Sequence, residues 1–138
     1  MSAILEVRVA WGDCDEQGIV FYPRYFYWMD CAFQNLLRQR GLTLKIIRGK
    51  FGALGMPTVD VGARFLVAAE SEDILHIRAG VEKWGEKSLR VAYEARRNGD
   101  AVFEGHEVRV WVVRDAAGSP APARIPDEIR QALTAEQR

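Results

Sequence analysis

The sequence of 138 residues has no charge imbalance and no long apolar run. Its 19 lysines and arginines balance 19 aspartates and glutamates, so the formal net charge at pH 7 is zero. Nucleic-acid-binding proteins usually carry a basic excess on one face, and the chain has no run of basic residues, so we expect no nucleic-acid partner. No stretch approaches the roughly 18 uninterrupted apolar residues that a membrane-spanning helix requires, so we expect no membrane segment.

Cysteine and histidine are also scarce, and this excludes several kinds of site. Cys14 and Cys31 have neither the CxxC spacing of a metal site nor the pattern of a disulfide framework. His76 and His106 both lie in predicted strands, and neither has a second ligand at metal-binding spacing. We therefore expect no bound metal.

The sequence does contain enough apolar side chains for a packed core, since 49% of its residues are hydrophobic. This length and composition are typical of one globular domain, and we predict one that spans residues 1–138. Residues 1–9 lack the basic segment and long apolar core of a signal peptide. We therefore predict a cytoplasmic protein.

A strand followed by a long helix is predicted in the first third of the chain. Leu5, Val7 and Val9 alternate with charged residues, which is the pattern of a half-buried strand. Pro23 is suited to the first position of a helix, because its missing N–H costs nothing there, and we predict that the helix runs to Arg40. Its predicted core-facing stripe consists of Tyr22, Phe26, Met29, Phe33, Leu36 and Leu37.

The rest of the sequence reads mostly as strand. A short helical turn is predicted at 44–48 and a modest terminal helix after Pro126. Asn98-Gly99 readily forms a hairpin turn, because both residues tolerate positive φ. We predict an α+β layer structure with one strand, one long helix and then four antiparallel strands joined by hairpins. Those four strands are predicted at 59–67, 74–84, 88–97 and 101–114.

The segment between the first strand and the long helix is the richest in chemistry. Asp13 and Asp15 lie in a loop just before a helix start, where unpaired N–H groups can stabilise an oxyanion, as acyl transfer requires. Aspartates before helices also serve as caps and turn formers, and spacing alone leaves both interpretations open. Cys14 is a poor candidate nucleophile, because two aspartates flank it and no histidine is near to deprotonate it. Asp30 lies at the margin of the apolar stripe, where it is either a site residue or a solvated surface carboxylate.

The run from Trp11 to Asp30 contains Asp-x-Asp-x-x-Gly-Ile-Val-x-Tyr-Pro, which resembles the signature of the 4-hydroxybenzoyl-CoA thioesterase family. The similarity is close and continues through Gly-Met-Pro-Thr-Val at 55–59, Trp-Gly-Glu-Lys-Ser at 84–88 and Glu-Val-Arg-Val at 107–110. The resemblance implies a hot-dog fold, in which an antiparallel five-stranded sheet wraps a long central helix. It also implies hydrolysis of an acyl-CoA without a cofactor.

The resemblance assigns roles to individual residues. Asp15 matches the catalytic aspartate, acting as nucleophile or as general base on water, and the backbone N–H of Tyr22 matches the group that polarises the thioester carbonyl. Asp30 matches the carboxylate that contacts the phenol of a 4-hydroxybenzoyl group. The remaining matches are an acyl-pocket segment, Met56, Pro57 and Thr58, and a turn that meets the CoA nucleotide, Gly85, Glu86 and Lys87.

Two features of the family bear on partners. The turn at the nucleotide is strongly basic in a close relative, whereas here only Lys87 carries a positive charge. Lys45 or Arg124 could supply the missing positive charge. Lys45 also replaces an aromatic pocket residue. The family's active sites lie at subunit interfaces, which implies a homo-oligomer, either a dimer or a tetramer.

Three functions remain open from the sequence. The first is a thioesterase for an aromatic acyl-CoA, and the second is one for short aliphatic acyl groups on CoA or on a carrier protein. Members of the second type commonly carry histidine at the position of Pro23, which favours the first. The third is a non-catalytic protein that binds acyl-CoA, and the retention of Asp15 and Gly18 argues against it.

Overall fold

The computed structural model describes residues 2–134, and its main feature is one long helix packed on one antiparallel sheet. The sheet has five strands in the order β1-β4-β5-β6-β3. This is the α+β architecture that the resemblance implies. The strands are β1 (Ser2–Arg8), β2 (Ala53–Gly55), β3 (Thr58–Phe65), β4 (Ile74–Trp84), β5 (Ser88–Arg97), β6 (Asp100–Val110), β7 (Val112–Arg114) and β8 (Pro120–Pro122), and the helices are α1 (Pro23–Gln39), α2 (Leu44–Phe51) and α3 (Asp127–Thr134).

The strand connections differ from the prediction in one respect. The hairpins β4–β5 and β5–β6 form as expected, but β3 pairs with β6, so that Phe65 lies opposite Phe103. The expectation that all four later strands are joined by hairpins is therefore wrong. Periodicity identifies a strand but says nothing about which neighbour completes its hydrogen bonds.

The predicted strand at 101–114 is in fact two strands. β6 ends at Val110, and β7 leaves the main sheet to pair with β2 and β8 in a small three-stranded sheet. Trp111, between them, is buried and packs edge-on against Phe51. Helix α2 is longer than predicted and ends at Phe51. Gly52, with a positive φ of 65°, caps it.

The main core lies between α1 and the inner face of the sheet. The inward alternation predicted for β4 and β5 is confirmed, since Leu75, Ile77, Ala79, Leu89, Val91, Tyr93 and Ala95 are all buried. On α1, Met29, Phe33, Leu36 and Leu37 are buried as predicted. Tyr22 is exposed instead, and Phe26 is only partly buried.

Tyr25 and Trp28, which the predicted stripe does not include, are also buried in the first two turns of α1. The Tyr25 ring packs on Phe65 and Phe103, and its hydroxyl accepts a hydrogen bond from the N–H of Ala69 at 3.3 Å. The loop after β3 thus covers Tyr25, which lies outside the predicted stripe. The inward stripe is rotated at this end because of a tertiary contact, which helical periodicity cannot predict.

Gly105 on β6 lets α1 lie close to the sheet. A Cβ atom added there would lie 2.8 Å from both Sδ and Cε of Met29 and 3.2 Å from the carbonyl oxygen of Gly62. Such distances are shorter than ordinary van der Waals contact. The absence of a side chain at Gly105 therefore leaves room for the end of the Met29 side chain beneath α1.

Candidate active site

Asp13 fixes the loop that precedes α1. It is buried, and one carboxylate oxygen accepts a hydrogen bond from the N–H of Ala10 at 2.8 Å. The other oxygen receives both Nε and Nη2 of Arg24, at 2.8 and 2.6 Å. Arg24 is in the first turn of α1, so Asp13 joins the short 3₁₀ turn at 11–13 to the helix start. Its carboxylate is fully engaged and serves as a structural tie.

Asp15 is held differently, in a tight reversal of the backbone. Its N–H donates to the carbonyl of Ile19 at 2.9 Å, and its own carbonyl accepts from Gly18 at 3.0 Å. Gly18 has a φ of 83°, which a residue with a side chain rarely adopts. The carboxylate is partly exposed, and its Oδ1 accepts one hydrogen bond, from the N–H of Gln17 at 2.8 Å.

A cavity of about 460 Å³ opens beside Asp15. Its other lining residues are Trp11, Cys14, Glu16, Gly18 and Ser71. Trp11 is 85% exposed, which is unusual for a tryptophan. Of the two aspartates in this loop, only Asp15 presents its carboxylate to an open space.

The start of α1 provides an unused hydrogen-bond donor. Phe21 donates its N–H to the carbonyl of Asp13, Arg24 donates to Phe21, and Tyr25 donates to Tyr22. Pro23 has no N–H. Among residues 2–134, the N–H of Tyr22 meets no acceptor, and it points from the helix N-terminus, where the helix dipole favours negative charge.

Asp30 does not stand alone on the surface of α1. Its side chain is 53% exposed, and its Oδ1 pairs with Nη2 of Arg109 on β6 at 2.6 Å. The Arg109 side chain is only 5% exposed and reaches Asp30 from within the core. Its Nη1 donates to the carbonyl of Met56 at 3.0 Å, and its guanidinium lies 4.2 Å from the centre of the Phe33 ring.

Glu107 holds Arg109 from the other side. Its Oε1 accepts hydrogen bonds from Nε and Nη2 of Arg109, at 3.0 and 2.9 Å, and from the hydroxyl of Tyr93. Its Oε2 accepts the hydroxyl of Thr58 at 3.3 Å. Burial alone would lower the pKa of Arg109, but the negative charge of Glu107 and the hydrogen bond to Asp30 outweigh it and raise that pKa. Burial, and then the charge of Glu107, raise the pKa of Tyr93 well above its usual range, so it stays a neutral donor.

The turn at 85–87 lies between β4 and β5 and is braced by α3. Nη2 of Arg130 donates to the carbonyls of both Gly85 and Glu86 at 2.7 Å. Lys87 and Glu86 are exposed. Arg124 was one of the two candidates for extra positive charge. The N–H of its neighbour Ile125 donates to the carbonyl of Glu86 in the turn. The Arg124 guanidinium itself forms an ion pair with Asp127 at 3.0 Å.

The predicted site residues therefore fall into three groups. Asp15 and the Tyr22 N–H belong to one loop and helix start. Asp30, Met56 and Thr58 are brought together by Arg109 and Glu107, whereas Pro57 accepts a hydrogen bond from Val110. The turn at 85–87 forms the third group, and no hydrogen bond or ion pair within residues 2–134 joins it to the other two.

Sequence reasoning missed the roles of Glu107, Arg109 and Tyr93. The first two belonged to the segment that carries the resemblance, and Tyr93 was predicted only as an inward-facing core residue. A usable signal was present: Glu107 and Arg109 are two residues apart on a strand and therefore share a face. Their position opposite buried partners on β5 becomes visible only in the paired sheet.

A larger hollow, of about 840 Å³, lies on the sheet face opposite α1. Small residues line its floor, among them Gly62, Gly80 and Ala92. None of the predicted site residues borders it, so its size does not make it the site. Within the described residues, no three side chains of His, Cys, Asp or Glu are grouped to hold a metal ion, and no helix is long and apolar enough to cross a membrane.

Comparison with known proteins decides the family. The family model described as the thioesterase-like superfamily matches residues 9–133. The chain belongs to this superfamily. It is 32% identical over 120 residues to the 4-hydroxybenzoyl-CoA thioesterase of Pseudomonas sp. (strain CBS-3), an alignment that covers 83% of this chain and 85% of that protein.

Solved structures agree in fold. A mutant 4-hydroxybenzoyl-CoA thioesterase complexed with 4-hydroxybenzoyl-CoA has a TM-score of 0.88 and 28% identity, covering 96% of this chain and 98% of that chain. A gentisyl-coenzyme A thioesterase has a TM-score of 0.80 and 30% identity, covering 96% and 100%. The predicted hot-dog fold is confirmed, and the protein is a thioester hydrolase.

Proposed function

We propose that the protein hydrolyses an aromatic acyl-CoA, either 4-hydroxybenzoyl-CoA or a related benzoyl-CoA, to the free acid and CoA. The observation that carries the proposal is the combination of a partly exposed Asp15 carboxylate beside a cavity and an unpaired Tyr22 N–H on the same loop and helix start. The similar proteins named above act on 4-hydroxybenzoyl-CoA and gentisyl-CoA, both of which carry a hydroxylated ring.

In the proposed reaction, the Tyr22 N–H donates to the thioester carbonyl oxygen as negative charge develops on it. A preorganised donor of this kind stabilises the tetrahedral intermediate without reorganisation. Asp15 either attacks the carbonyl carbon, forming an acyl anhydride and expelling CoA thiolate, or takes a proton from a water molecule that attacks. In the first route, water then cleaves the anhydride and regenerates the carboxylate. Both routes consume one water and release one acid and one CoA.

The other predicted residues take the two ends of the substrate in this proposal. Asp30, Met56, Pro57 and Thr58 would line the acyl group, with Asp30 accepting a hydrogen bond from a ring hydroxyl. The turn Gly85, Glu86 and Lys87 would contact the CoA nucleotide, and its one lysine would face the phosphates. A second copy of the chain would complete the site, as the family resemblance implies.

Surface chemistry supports such an oligomer. Strand β3 is at the edge of the sheet and exposes Val59, Val61 and Phe65 by 63%, 45% and 47%. An open edge strand with exposed apolar side chains is prone to pair with another chain unless it is covered. Tyr22 also lies near this edge, with its ring centre 6.2 Å from that of Phe65.

Release of free thiol from a panel of acyl-CoA substrates tests the proposal. The panel consists of 4-hydroxybenzoyl-CoA, benzoyl-CoA and butyryl-CoA, each assayed with wild type, Asp15→Asn and Glu16→Gln. We expect the highest kcat/KM with 4-hydroxybenzoyl-CoA. Asp15→Asn should lose at least ~10³-fold in kcat, which is typical of losing a principal catalytic group. Glu16→Gln removes a neighbouring exposed carboxylate and should keep activity within about threefold.

Each alternative function predicts a different pattern. Preference for butyryl-CoA would identify a short aliphatic substrate, and no thiol release from any substrate would favour a binding protein. Full activity of a folded Asp15→Asn variant would remove Asp15 from the mechanism.

A further inference from the structure

The buried pair on β6 has no part in the proposed reaction. Glu107 and Arg109 are both almost fully buried, in a core whose buried side chains are mostly apolar or aromatic. Removing two such charges from water is costly, and apolar residues of similar volume often stabilise a core equally well. Packing alone does not explain a charged pair here, so its remaining contacts are informative.

Those contacts lead outwards to the acyl end of the site. The single guanidinium of Arg109 binds Oδ1 of Asp30 on α1 and the carbonyl of Met56 before β3, while Glu107 and the Phe33 ring hold it in place. Two segments of the predicted acyl pocket, far apart in sequence, are thus fixed by one rigid side chain. Arginine suits this task because its planar fork presents five N–H donors at fixed angles, whereas lysine is a point charge.

The balance of charge assigns different roles to the two carboxylates. One positive charge on Arg109 faces two negative charges, those of Glu107 and Asp30. Glu107 is buried and receives four hydrogen bonds on its two oxygens, whereas Asp30 is 53% exposed and receives one from Arg109, on Oδ1. Among the described residues, nothing donates to the second oxygen of Asp30, so that oxygen remains available to an outside donor.

We propose that Arg109 is a positioning residue for substrate specificity: by anchoring Oδ1 of Asp30 and the Met56 carbonyl, it aims the free oxygen of Asp30 at a hydroxyl on the substrate ring. This inference rests on the proposed function, and it adds a residue that does not touch the substrate. A hydroxylated ring gains a charge-assisted hydrogen bond from the fixed carboxylate. An unsubstituted ring gains none and leaves the second oxygen of Asp30 without a hydrogen bond.

A double-mutant cycle tests this inference, with kcat/KM measured for 4-hydroxybenzoyl-CoA and benzoyl-CoA. The variants are Arg109→Lys, Asp30→Asn and the double variant. The quantity compared is the ratio of kcat/KM for the two substrates. Arg109→Lys keeps the positive charge that balances Glu107 but cannot hold three acceptors in the geometry of the fork. Arg90→Lys is the matched control, because Arg90 pairs with Glu82 at 2.9 Å on the opposite face of the sheet.

We expect Arg109→Lys to lower the ratio by about tenfold, mainly through 4-hydroxybenzoyl-CoA, with benzoyl-CoA within about threefold of wild type. Asp30→Asn should lower the ratio at least as much in the wild-type background and add less than about twofold in the Arg109→Lys background, because both changes remove the same interaction. Arg90→Lys should leave the ratio unchanged.

The outcomes separate this inference from the proposed function. A wild-type enzyme that hydrolyses neither aromatic acyl-CoA overturns both, whereas one that hydrolyses them without favouring the hydroxylated ring overturns this inference alone. A wild-type preference that Arg109→Lys leaves intact, or equal losses on both substrates, overturns the positioning role alone and leaves Arg109 as a structural residue. Should Arg109→Lys fail to fold, Glu107→Gln/Arg109→Met removes both buried charges together and gives the same comparison.

Discussion

Replacing the two aspartates of the loop before α1, one at a time, should affect two different properties: Asp13→Asn the free energy of unfolding, and Asp15→Asn the turnover rate. Asp13→Asn and Asp15→Asn are the same chemical change two residues apart, and each replaces a carboxylate by an amide of equal size. Asp13 is buried and accepts hydrogen bonds from one backbone N–H and from Arg24. Asp15 is partly exposed and accepts one hydrogen bond from Gln17.

The cost at Asp13 follows from these contacts. An asparagine keeps one acceptor oxygen and turns its amide donors towards the other donor, so one of the two interactions is lost. A hydrogen bond to a charged group contributes about 1.5–3 kcal/mol. The Arg24 side chain is 42% exposed, so its ion pair is partly screened and adds at most about 1 kcal/mol. We expect Asp13→Asn to lower the free energy of unfolding by about 2–3 kcal/mol, which corresponds to about 6–12 °C in Tm for a chain of this size.

The expected result at Asp15 is the reverse. An asparagine still accepts the N–H of Gln17, as asparagine does in turns, so the free energy of unfolding should change by no more than about 0.5 kcal/mol. Thermal unfolding followed by circular dichroism, and thiol release measured well below both Tm values, give the two readouts. Asp13→Asn should retain kcat within about tenfold, and Asp15→Asn should lose at least ~10³-fold. An Asp13→Asn protein with unchanged Tm, or an Asp15→Asn protein that is strongly destabilised, would refute this division of roles.

Three further predictions follow from other parts of the molecule. Gly105→Ala should lower the free energy of unfolding by about 1–3 kcal/mol, because the new methyl group meets the Met29 side chain. Gly49 is an exposed position of helix α2 with open space around it, so Gly49→Ala should raise the free energy of unfolding by up to ~1 kcal/mol. Equal Tm values for the two variants would contradict this prediction. Lys87→Ala should raise KM for the acyl-CoA about fivefold with little change in kcat, and the difference from wild type should shrink at high salt. Lys83→Ala is the control. An equal rise in KM for Lys83→Ala would contradict the proposed contact between the turn at 85–87 and the CoA nucleotide. Static light scattering should give two or four times the chain mass of 15.6 kDa, and a fully active monomer at assay concentration would refute a shared site.

Local signals account for the parts of the fold that the sequence predicts well. Alternation on β4 and β5 is regular, because apolar residues face α1 and polar residues face the opposite side, and both strand bounds are predicted correctly. Pro23 and Gly41 mark the two ends of α1 closely, because each has a strong backbone preference. These features need no knowledge of distant partners.

Long-range contacts account for the parts that it does not. The pairing of β3 with β6, rather than with β4, depends on a partner some forty residues away. The sequence did not predict the break at Trp111, because the valines on both sides of it read as one continuous strand, whereas β7 leaves the main sheet to pair with β2 and β8. Tyr25 is buried and Tyr22 is exposed, contrary to the predicted stripe, because the loop after β3 covers Tyr25.

The candidate site also combines local and long-range contacts. The proposed specificity residues, Asp30 and Arg109, are the hardest to predict, because they meet through a long-range contact. Asp15 and Tyr22 are seven residues apart, so one loop and one helix start suffice to relate them. Asp30 and Arg109 are 79 residues apart and meet only because β6 lies under α1. Strand periodicity correctly places Glu107 and Arg109 on one face, but it treats charged residues as markers of the solvent side. Here that face is the core. A charged pair on the buried face of a strand is costly unless its hydrogen-bonding groups are also satisfied. Glu107 cannot accept from all five N–H donors of Arg109, and the Met56 carbonyl and Asp30, at the margin of the helical stripe, accept from the others.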